Sequence, residues 1–528
     1  MRFISQIIHV IKKKQEKEIE TEERAVDTHK NPNILSKSLS RNIQSVQSVL
    51  VNSADLVLRE FSFGKHQDTE IKAALFFIDG MVNMQMINDG IIKPLMHDSQ
   101  SSHKKGVSDI ASLEEVKEKL LVSGEAKAVQ TFNDIALGCI SGNAILLAEG
   151  FDKGLEISVK GWQQRAVTEP TSETSVRGPR EGFTENIRTN TSMIRRKIKD
   201  PSLKIKASTI GKRTQTLVNL IYIEGLANPD LVHEVESRMS QIDIDAVLAT
   251  SYLEPYIEDA PVSVFPTIWF SEKPDAVAGK LLEGRVAIAV DGAPFVMSMP
   301  MLFIENFQSA EDYIKRSPYS TAMRILRLIA FMISVFMPAL YIALSTYQQE
   351  LIPTTLLFTM AASSEGVPFP VVVEMALMMM IFEILQEAGI RMPRPVGQTI
   401  SIVGALVMGE AAVRAGLVGA PVVIVIAITA VSSFAVPFAA DAVSLTRWFL
   451  LIMASVMGTY GITLGGFILL VHLVSIRSFG SPYLAPLAPF QNAGIKDSFV
   501  RVPLDDMTKR PQSLKPQDVV RQASPPSK

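Results

Sequence analysis

Hydrophobic positions along this chain obey two different patterns. From about residue 41 to 310, apolar runs are short and charge is frequent, whereas from about 325 to 476 charged residues become isolated. The first region alternates strand-like and helix-like stretches. "AALFFIDG" (Ala73 to Gly80) is a short apolar run closed by a turn dipeptide, which predicts a buried strand. "SLEE" (Ser112 to Glu115) has capping-box spacing and predicts a helix toward Leu121. "NAILLAEGFDKGLEISVKG" (Asn143 to Gly161) predicts a hairpin, and "TQTLVNLIYIEG" (Thr214 to Gly225) another buried strand. In "NPDLVHEVESRM", Asn228 sits at a cap position, Pro229 at the first helical position, and Glu234 four before Arg238. "PDAVAGKLLEG" and "RVAIAVDG" repeat helix then strand. This layering predicts an α/β region of two subdomains, 41–165 and 166–310. Residues 1–40, charged and without a sustained pattern, read as a mobile arm.

The apolar region predicts an all-α, multi-pass membrane domain over 325–477, reached by a basic linker at 311–324 and followed by a tail at 478–528. "ILRLIAFMISVFMPALYIALSTY" (Ile325 to Tyr347) is long enough to cross about 30 Å of hydrocarbon. Segments starting at Pro370, Val396 and Leu417 predict three more crossings. The run from Trp448 to Ile476 is too long for one upright helix and short for two. "LIPTTLLFTMAASSEGVPFP" reads as a re-entrant stretch, so five or six segments result. Lys315, Arg316, Arg324 and Arg327 lie at the N-terminal end of the first segment, Arg391 and Arg394 mark a later turn, and Arg477 begins the tail. The positive-inside rule then puts the α/β region and the tail in the cytoplasm, which requires an even number of crossings.

Composition narrows the function classes. The net charge of -2 and pI near 6.4 speak against nucleic-acid binding, and a mean hydropathy of +0.21 agrees with partial burial in lipid. The single cysteine, Cys139, excludes an intrachain disulfide framework. The start, "MRFISQIIHVIKKKQEKEIETEE", lacks the pattern of a secretory signal. No phosphate loop or nucleophile elbow is present, the seven histidines have no metal-ligand spacing, and neither enzymatic activity nor a cofactor is expected. Asp79, Glu224 and Asp291 each precede a glycine at a strand end. They are either simple turns or, at the carboxyl ends of parallel strands, candidate magnesium or acid–base residues.

Two further groups stand out. Glu374 and Glu383 fall on opposite faces of one apolar helix, Glu383 and Glu387 share a face, and Glu410 and Asp441 lie near the membrane region. Glu374, Glu383, Glu410 and Asp441 are candidate pore or interhelical acids, with Arg414 and Arg447 as pairing partners. Gly461 and Gly465 form a GxxxG pattern, and Gly409 and Gly416 extend small-residue spacing, so all four are candidate helix-packing positions. The loop "EPTSETSVRGPREGF" carries Glu169, Glu173, Arg177, Arg180 and Glu181. These residues either lock two subdomains or subunits together or, with the basic residues from Arg195 to Arg213, contact headgroups or a small anion.

"EPTSETSVRGPREGFTENIRTNTSMIRRKIKDPSLKI", "IEGLANPDLVHEV", "FPTIWFSEKPDAVAGKLLEGRVAIAVDGAPF" and "SPYLAPLAPF" together resemble the A subunits of GerA-type spore germinant receptors, across about residues 40–495. The resemblance implies a place in the spore inner membrane. It also implies homo-oligomers, partnership with an amino-acid-transporter-like B subunit and a lipoprotein C subunit, and a role in ion release as the channel-forming part. The related stage V sporulation AF proteins share the architecture, which keeps a non-conducting scaffold open. A secondary transporter would need internal repeats, and none is evident.

Overall fold

The computed structural model describes residues 33–66, 69–97, 116, 126–161, 177–391 and 409–523. The chain forms two compact units. The first comprises Met1–Ala166 and Arg188–Lys206, and the second Val167–Ile187 and Ala207–Lys528. The capping-box helix expected from Ser112 and most of the N-terminal arm lie outside the described residues, as does most of the apolar segment beginning at Val396.

In the first unit, α1 (Leu39–Val49), β1 (Leu56–His66), β2 (Thr69–Ile78), β3 (Ala126–Val129), α2 (Phe132–Ile140), β4 (Asn143–Ala148) and β5 (Gly154–Ser158) form a sheet with helical cover. The strand order is β1-β2-β4-β5-β3, every pair antiparallel. The expected hairpin is β4–β5, with Ile145 opposite Glu156. β2 explains why "AALFFI" is continuously apolar. Ile71, Ala73, Leu75 and Phe77 pack on one face with Ile87, Ile91 and Leu95, while Ala74, Phe76 and Ile78 pack on the other with Leu39, Val46 and Ile135. α3 (Ile187–Lys197) follows the loop that crosses between the units, and β6 (Leu203–Ile210) leads back into the second.

The second unit begins with another five-stranded sheet, of order β6-β7-β9-β10-β8. Its further strands and helices are β7 (Thr216–Ile223), α4 (Pro229–Ser240), β8 (Trp269–Ser271), α5 (Pro274–Leu281), β9 (Val286–Val290) and β10 (Val296–Met299). The β7–β9, β9–β10 and β10–β8 pairs are antiparallel. α4 starts as its sequence dictates: the Asn228 side chain accepts from the Asp230 amide, Pro229 opens the helix, and Glu234 pairs with Arg238 at 2.8 Å. Its buried face, Leu231, Val232, Val235 and Met239, packs on Val218, Leu220, Ile288 and Val290.

The described part of the apolar region contains the helices α6 (Ser317–Thr346), α7 (Thr354–Ser364), α8 (Val371–Arg391), α9 (Ala420–Ser433) and α10 (Ala440–Ser475). Among the described residues, two stretches are long and apolar enough to cross a membrane, Ser317–Thr346 and Pro437–Ser475. α6 starts eight residues before the apolar run because Pro318 opens the helix and the basic approach continues into it. The stretch expected to be re-entrant contains α7, between Pro353 and Pro370, with no buried residue.

α10 is not one rod. Gly458 adopts φ 60° and ψ -139°, and the chain doubles back there. A Cβ at Gly461 would collide with the Met453 carbonyl, and one at Gly465 would lie 2.8 Å from Leu450. In a straight helix residues eight apart are about 12 Å apart, so 440–457 and 459–475 are two antiparallel arms. Their open ends lie at the sheet domain, with Phe438 against Trp269 and His472 bonded to Ser263 at 3.0 Å. Tyr347, after α6, packs on the tip at Gly458, and its hydroxyl donates to the Ser455 carbonyl at 2.6 Å. The tail then returns to the sheet domain, where Phe303 N–H donates to Tyr483 O (2.8 Å) and Gln517 N–H to Leu226 O (2.9 Å).

Candidate functional site

Polar groups inside the helical domain are costly unless matched, so their partners identify where the fold concentrates specificity. Glu374, 1% exposed, lies near the start of α8, and its Oε2 accepts from the Gly419 amide at 2.6 Å. Gly419 caps α9, so the carboxylate faces the positive end of that helix. Nine residues on, about 13.5 Å along the axis, Glu383 Oε1 accepts from Arg447 Nη2 (2.5 Å) and Ser444 Oγ (2.6 Å) of the first hairpin arm. Arg447 is 2% exposed, stands 5.7 Å from the Phe382 ring centre, and leaves Nε and Nη1 without an acceptor. The opposite-face geometry read from the sequence thus sends two acids of one helix to two neighbours.

The remaining acids differ. Glu387 pairs with Arg391 and Glu410 with Arg414, each at 2.5 Å, four residues apart and exposed. Such pairs contribute about 0.3–0.5 kcal/mol. Asp441 is exposed in the first turn of α10. The glycines lie at close approaches: Gly461 and Gly465 sit at the seam of the hairpin arms, a Cβ at Gly409 would lie 3.2 Å from Val423, and one at Gly416, at φ +65°, would lie 3.3 Å from the Gly366 carbonyl.

A second polar cluster, unforeseen in the sequence, holds the base of α6. Arg324 is fully buried: Nε donates to Asp312 Oδ2 (3.2 Å), and Nη1 donates to the Asp497 carbonyl (2.8 Å), Asp497 Oδ1 (3.0 Å) and the Ser498 carbonyl (2.8 Å). Arg327 grips Asp312 at 2.7 and 3.1 Å. The Tyr313 hydroxyl donates to Asp497 Oδ2 at 2.9 Å, and Arg501 donates to the Tyr313 carbonyl at 3.1 Å. Burial pushes the Asp497 carboxyl up against the pull of Arg324. Burial, then the Asp497 charge, pushes the Tyr313 phenol well above its usual range. Arg324 and Arg327, expected at a charged membrane flank, tie together the segment after the sheet, the first long helix and the tail. The acid–base pattern of "EDYIKR" was the available signal, but its partner Asp497 lies 173 residues beyond Arg324.

The loop "EPTSETSVRGPREGF" is described only from Arg177 onward, so Glu169 and Glu173 lie outside the described residues. Arg177 and Arg180 are exposed and Glu181 half-buried. Gly178 adopts φ +127°, and a Cβ there would meet Ile314 at 2.7 Å. Phe183 N–H donates to Glu272 O at 2.7 Å. Among the following basic residues, Arg195 is buried and bonds Asp55 (2.8 and 2.9 Å) and Ser53 Oγ (2.8 Å), so it does not face headgroups. The strand-end acids sit in turns, with Gly80, Gly225 and Gly292 at φ +77°, +79° and +85°. Asp79 pairs with Arg188 at 3.2 Å, and Asp291 accepts from the Ile187 amide at 3.1 Å. β2 and β9 run antiparallel to their neighbours, so the parallel-strand geometry behind a magnesium or acid–base role is missing. Among the described residues, His, Cys, Asp and Glu side chains form no group of three able to hold a metal ion.

The profile of a family described as "Bacillus/Clostridium GerA spore germination protein" matches residues 44–513. The chain is 44% identical to spore germination protein KA of Bacillus subtilis (strain 168) over 493 residues, which cover 93% of this chain and 89% of that protein. It is 36% identical to spore germination protein B1 of the same organism (92% and 99% covered) and 34% identical to spore germination protein GerLA of Bacillus cereus (92% and 97%). The crystal structure of the N-terminal domain of the A subunit of the Bacillus megaterium spore germinant receptor GerK3 is also similar. It is 37% identical with a TM-score of 0.41, covering 51% of this chain and 97% of that one.

Proposed function

The chain belongs to the Bacillus/Clostridium GerA spore germination family, and from that premise we propose that it is the A subunit of a nutrient germinant receptor in the spore inner membrane. It forms homo-oligomers, assembles with a transporter-like B subunit and a lipoprotein C subunit, and converts nutrient binding in a partner into ion release. It has no catalytic function of its own. The arginine node carries this reading. Arg324 belongs to a candidate membrane helix, yet all its acceptors lie in the segment after the sheet or in the tail. A displacement of the sheet domain is therefore passed to α6 through buried hydrogen bonds.

The helical domain supports a six-crossing topology. α6 runs from the node to the hairpin tip, where Tyr347 meets Gly458. α8 runs from the Glu374–Gly419 contact, on the tip side, back to the Glu383–Ser444 contact nearer the hairpin base. α9 starts beside Glu374 and ends near Val436, which packs with Phe265 of the sheet domain. The hairpin adds two legs, Ala440–Met457 and Thr459–Ser475, and the sequence-based count of crossings, which both ends on one side require to be even, supplies the sixth. Lys315, Arg316, Arg391 and Arg477 fall at the sheet-domain end, which supports a cytoplasmic sheet domain.

Reconstitution of the purified chain in liposomes tests the conducting role: an oligomer that passes potassium or sodium supports it. A second reading, a non-conducting scaffold like the stage V sporulation AF proteins, is favoured by Glu374 and Glu383 both being satisfied within one chain. A silent monomer that still restores nutrient-triggered germination to deletion spores would select the scaffold.

A further inference from the structure

The tail contains an uncharged stretch, Leu484 to Phe490, with the sequence Leu-Ala-Pro-Leu-Ala-Pro-Phe. It is held at both ends. Before it, Tyr483 is fully buried, edge-on to Phe303 at 5.9 Å between ring centres, and Phe303 in turn lies 5.9 Å from Phe331 of α6. After it, Asp497 and Ser498 are bonded to Arg324, and Phe499 lies 6.4 Å from Phe307. Between these anchors the backbone turns on itself, with Leu487 N–H donating to Leu484 O at 2.9 Å and Gln491 N–H to Pro486 O at 2.9 Å. Two prolines stiffen the turn, which leaves Leu487 40% and Phe490 69% exposed.

Both anchors fall on α6 between Arg324 and Phe331, about 10 Å of helix. Over that interval α6 exposes Ile325, Leu326 and Ile329 to between 43% and 53%. The turn therefore emerges where the helix passes from a buried charge node to an outward apolar face. Lys496, exposed just beyond it, has a stem long enough to keep its ammonium in water.

We propose that Leu487 and Phe490 form a monotopic wedge inserted into the headgroup–acyl boundary of the bilayer, so that the tail rides on the membrane surface beside α6. A stiff turn loses little entropy on insertion, and an exposed aromatic ring favours interfacial depth. The proposal rests on the reading of α6 as a membrane-spanning helix. With the wedge in lipid and Asp497 on Arg324, the tail has its own register to the bilayer independent of the hairpin.

Spin labels on the full chain test this, since Cys139 is the only cysteine and is buried. In a Cys139→Ala background, Phe490→Cys is compared with Ile329→Cys on α6 and Val262→Cys, which is 95% exposed in the sheet domain. The chain is reconstituted in phosphatidylcholine and phosphatidylglycerol vesicles. Accessibility to oxygen and to a water-soluble nickel chelate should place the Phe490 label between the other two. A Phe490 label as chelate-accessible as the Val262 label overturns the wedge while leaving the membrane reading intact. A label shielded from both reagents overturns it in favour of a protein cover. If the Ile329 label is itself chelate-accessible, the membrane reading of α6 falls, and the wedge with it.

Discussion

Arg447 on the first hairpin arm and Glu383 on α8 form an ion pair at 2.5 Å in which the arginine is almost wholly buried and the carboxylate is 29% exposed. The asymmetry sets an order of effects. Glu383→Gln leaves a buried guanidinium without its counter-charge and should cost about 3 kcal/mol, whereas Arg447→Met leaves a less buried carboxylate that keeps the bond from Ser444 Oγ and should cost about 1 kcal/mol. Thermal unfolding in detergent reads both. Equal losses, or the reverse order, would refute the pair as the lock between α8 and the hairpin.

The hairpin depends on glycines at its seam. Gly461→Val places a branched side chain against the Met453 carbonyl, so the folded, monodisperse yield should fall at least several-fold. Gly466→Ala is the control, because its Cβ would lie 3.7 Å from Phe336, an ordinary contact. If Gly461→Val purifies as well as Gly466→Ala, the two arms do not pack as described.

Much of this was legible in the sequence, because local rules sufficed. The Asn228–Pro229 start of α4, the β4–β5 hairpin and the buried β2 follow from caps, turns and apolar runs. The GxxxG of Gly461 and Gly465 marked a close approach, but the pattern does not say whether the partner is another chain or the same helix folded back. Only Gly458, at φ 60°, decides that, and one glycine among many small residues gives no such signal. The antiparallel sheets were hidden because a strand buried on both faces loses the alternation that separates sheet types. The node was hidden because Asp312, Arg324 and Asp497 meet only through tertiary folding.

A titration is also expected in the sheet domain. Burial, then the neighbouring Glu258, pushes the Glu254 carboxyl from 4.5 up to about 7. The folded state therefore holds this proton more tightly than the unfolded state. Its contribution to stability is fully present below about 4.5 and is lost as pH rises through about 7. Glu254→Gln should keep its melting temperature better than the parent across that window. An identical pH dependence in the two proteins would remove Glu254 as the cause.

The last prediction concerns the node. Arg324→Met leaves Asp312 with Arg327 and the Ser309 amide, leaves the Asp497 carbonyl with Gln308 Nε2 alone, and takes the guanidinium from the Ser498 carbonyl and Asp497 Oδ1. Arg324→Lys keeps the charge but replaces a fork with one ammonium, so it cannot reproduce the split between Asp312 and the tail. Both variants should free the tail, making it several-fold more sensitive to limited proteolysis after residue 478. In spores they should reduce nutrient-triggered potassium release while leaving the amount of protein near the parent level. Arg316→Met, at an exposed position one residue before α6, should change neither readout. If Arg324→Met releases potassium normally with a protease-sensitive tail, the node fixes structure without carrying the signal. If the tail remains resistant, Arg324 is not what holds it.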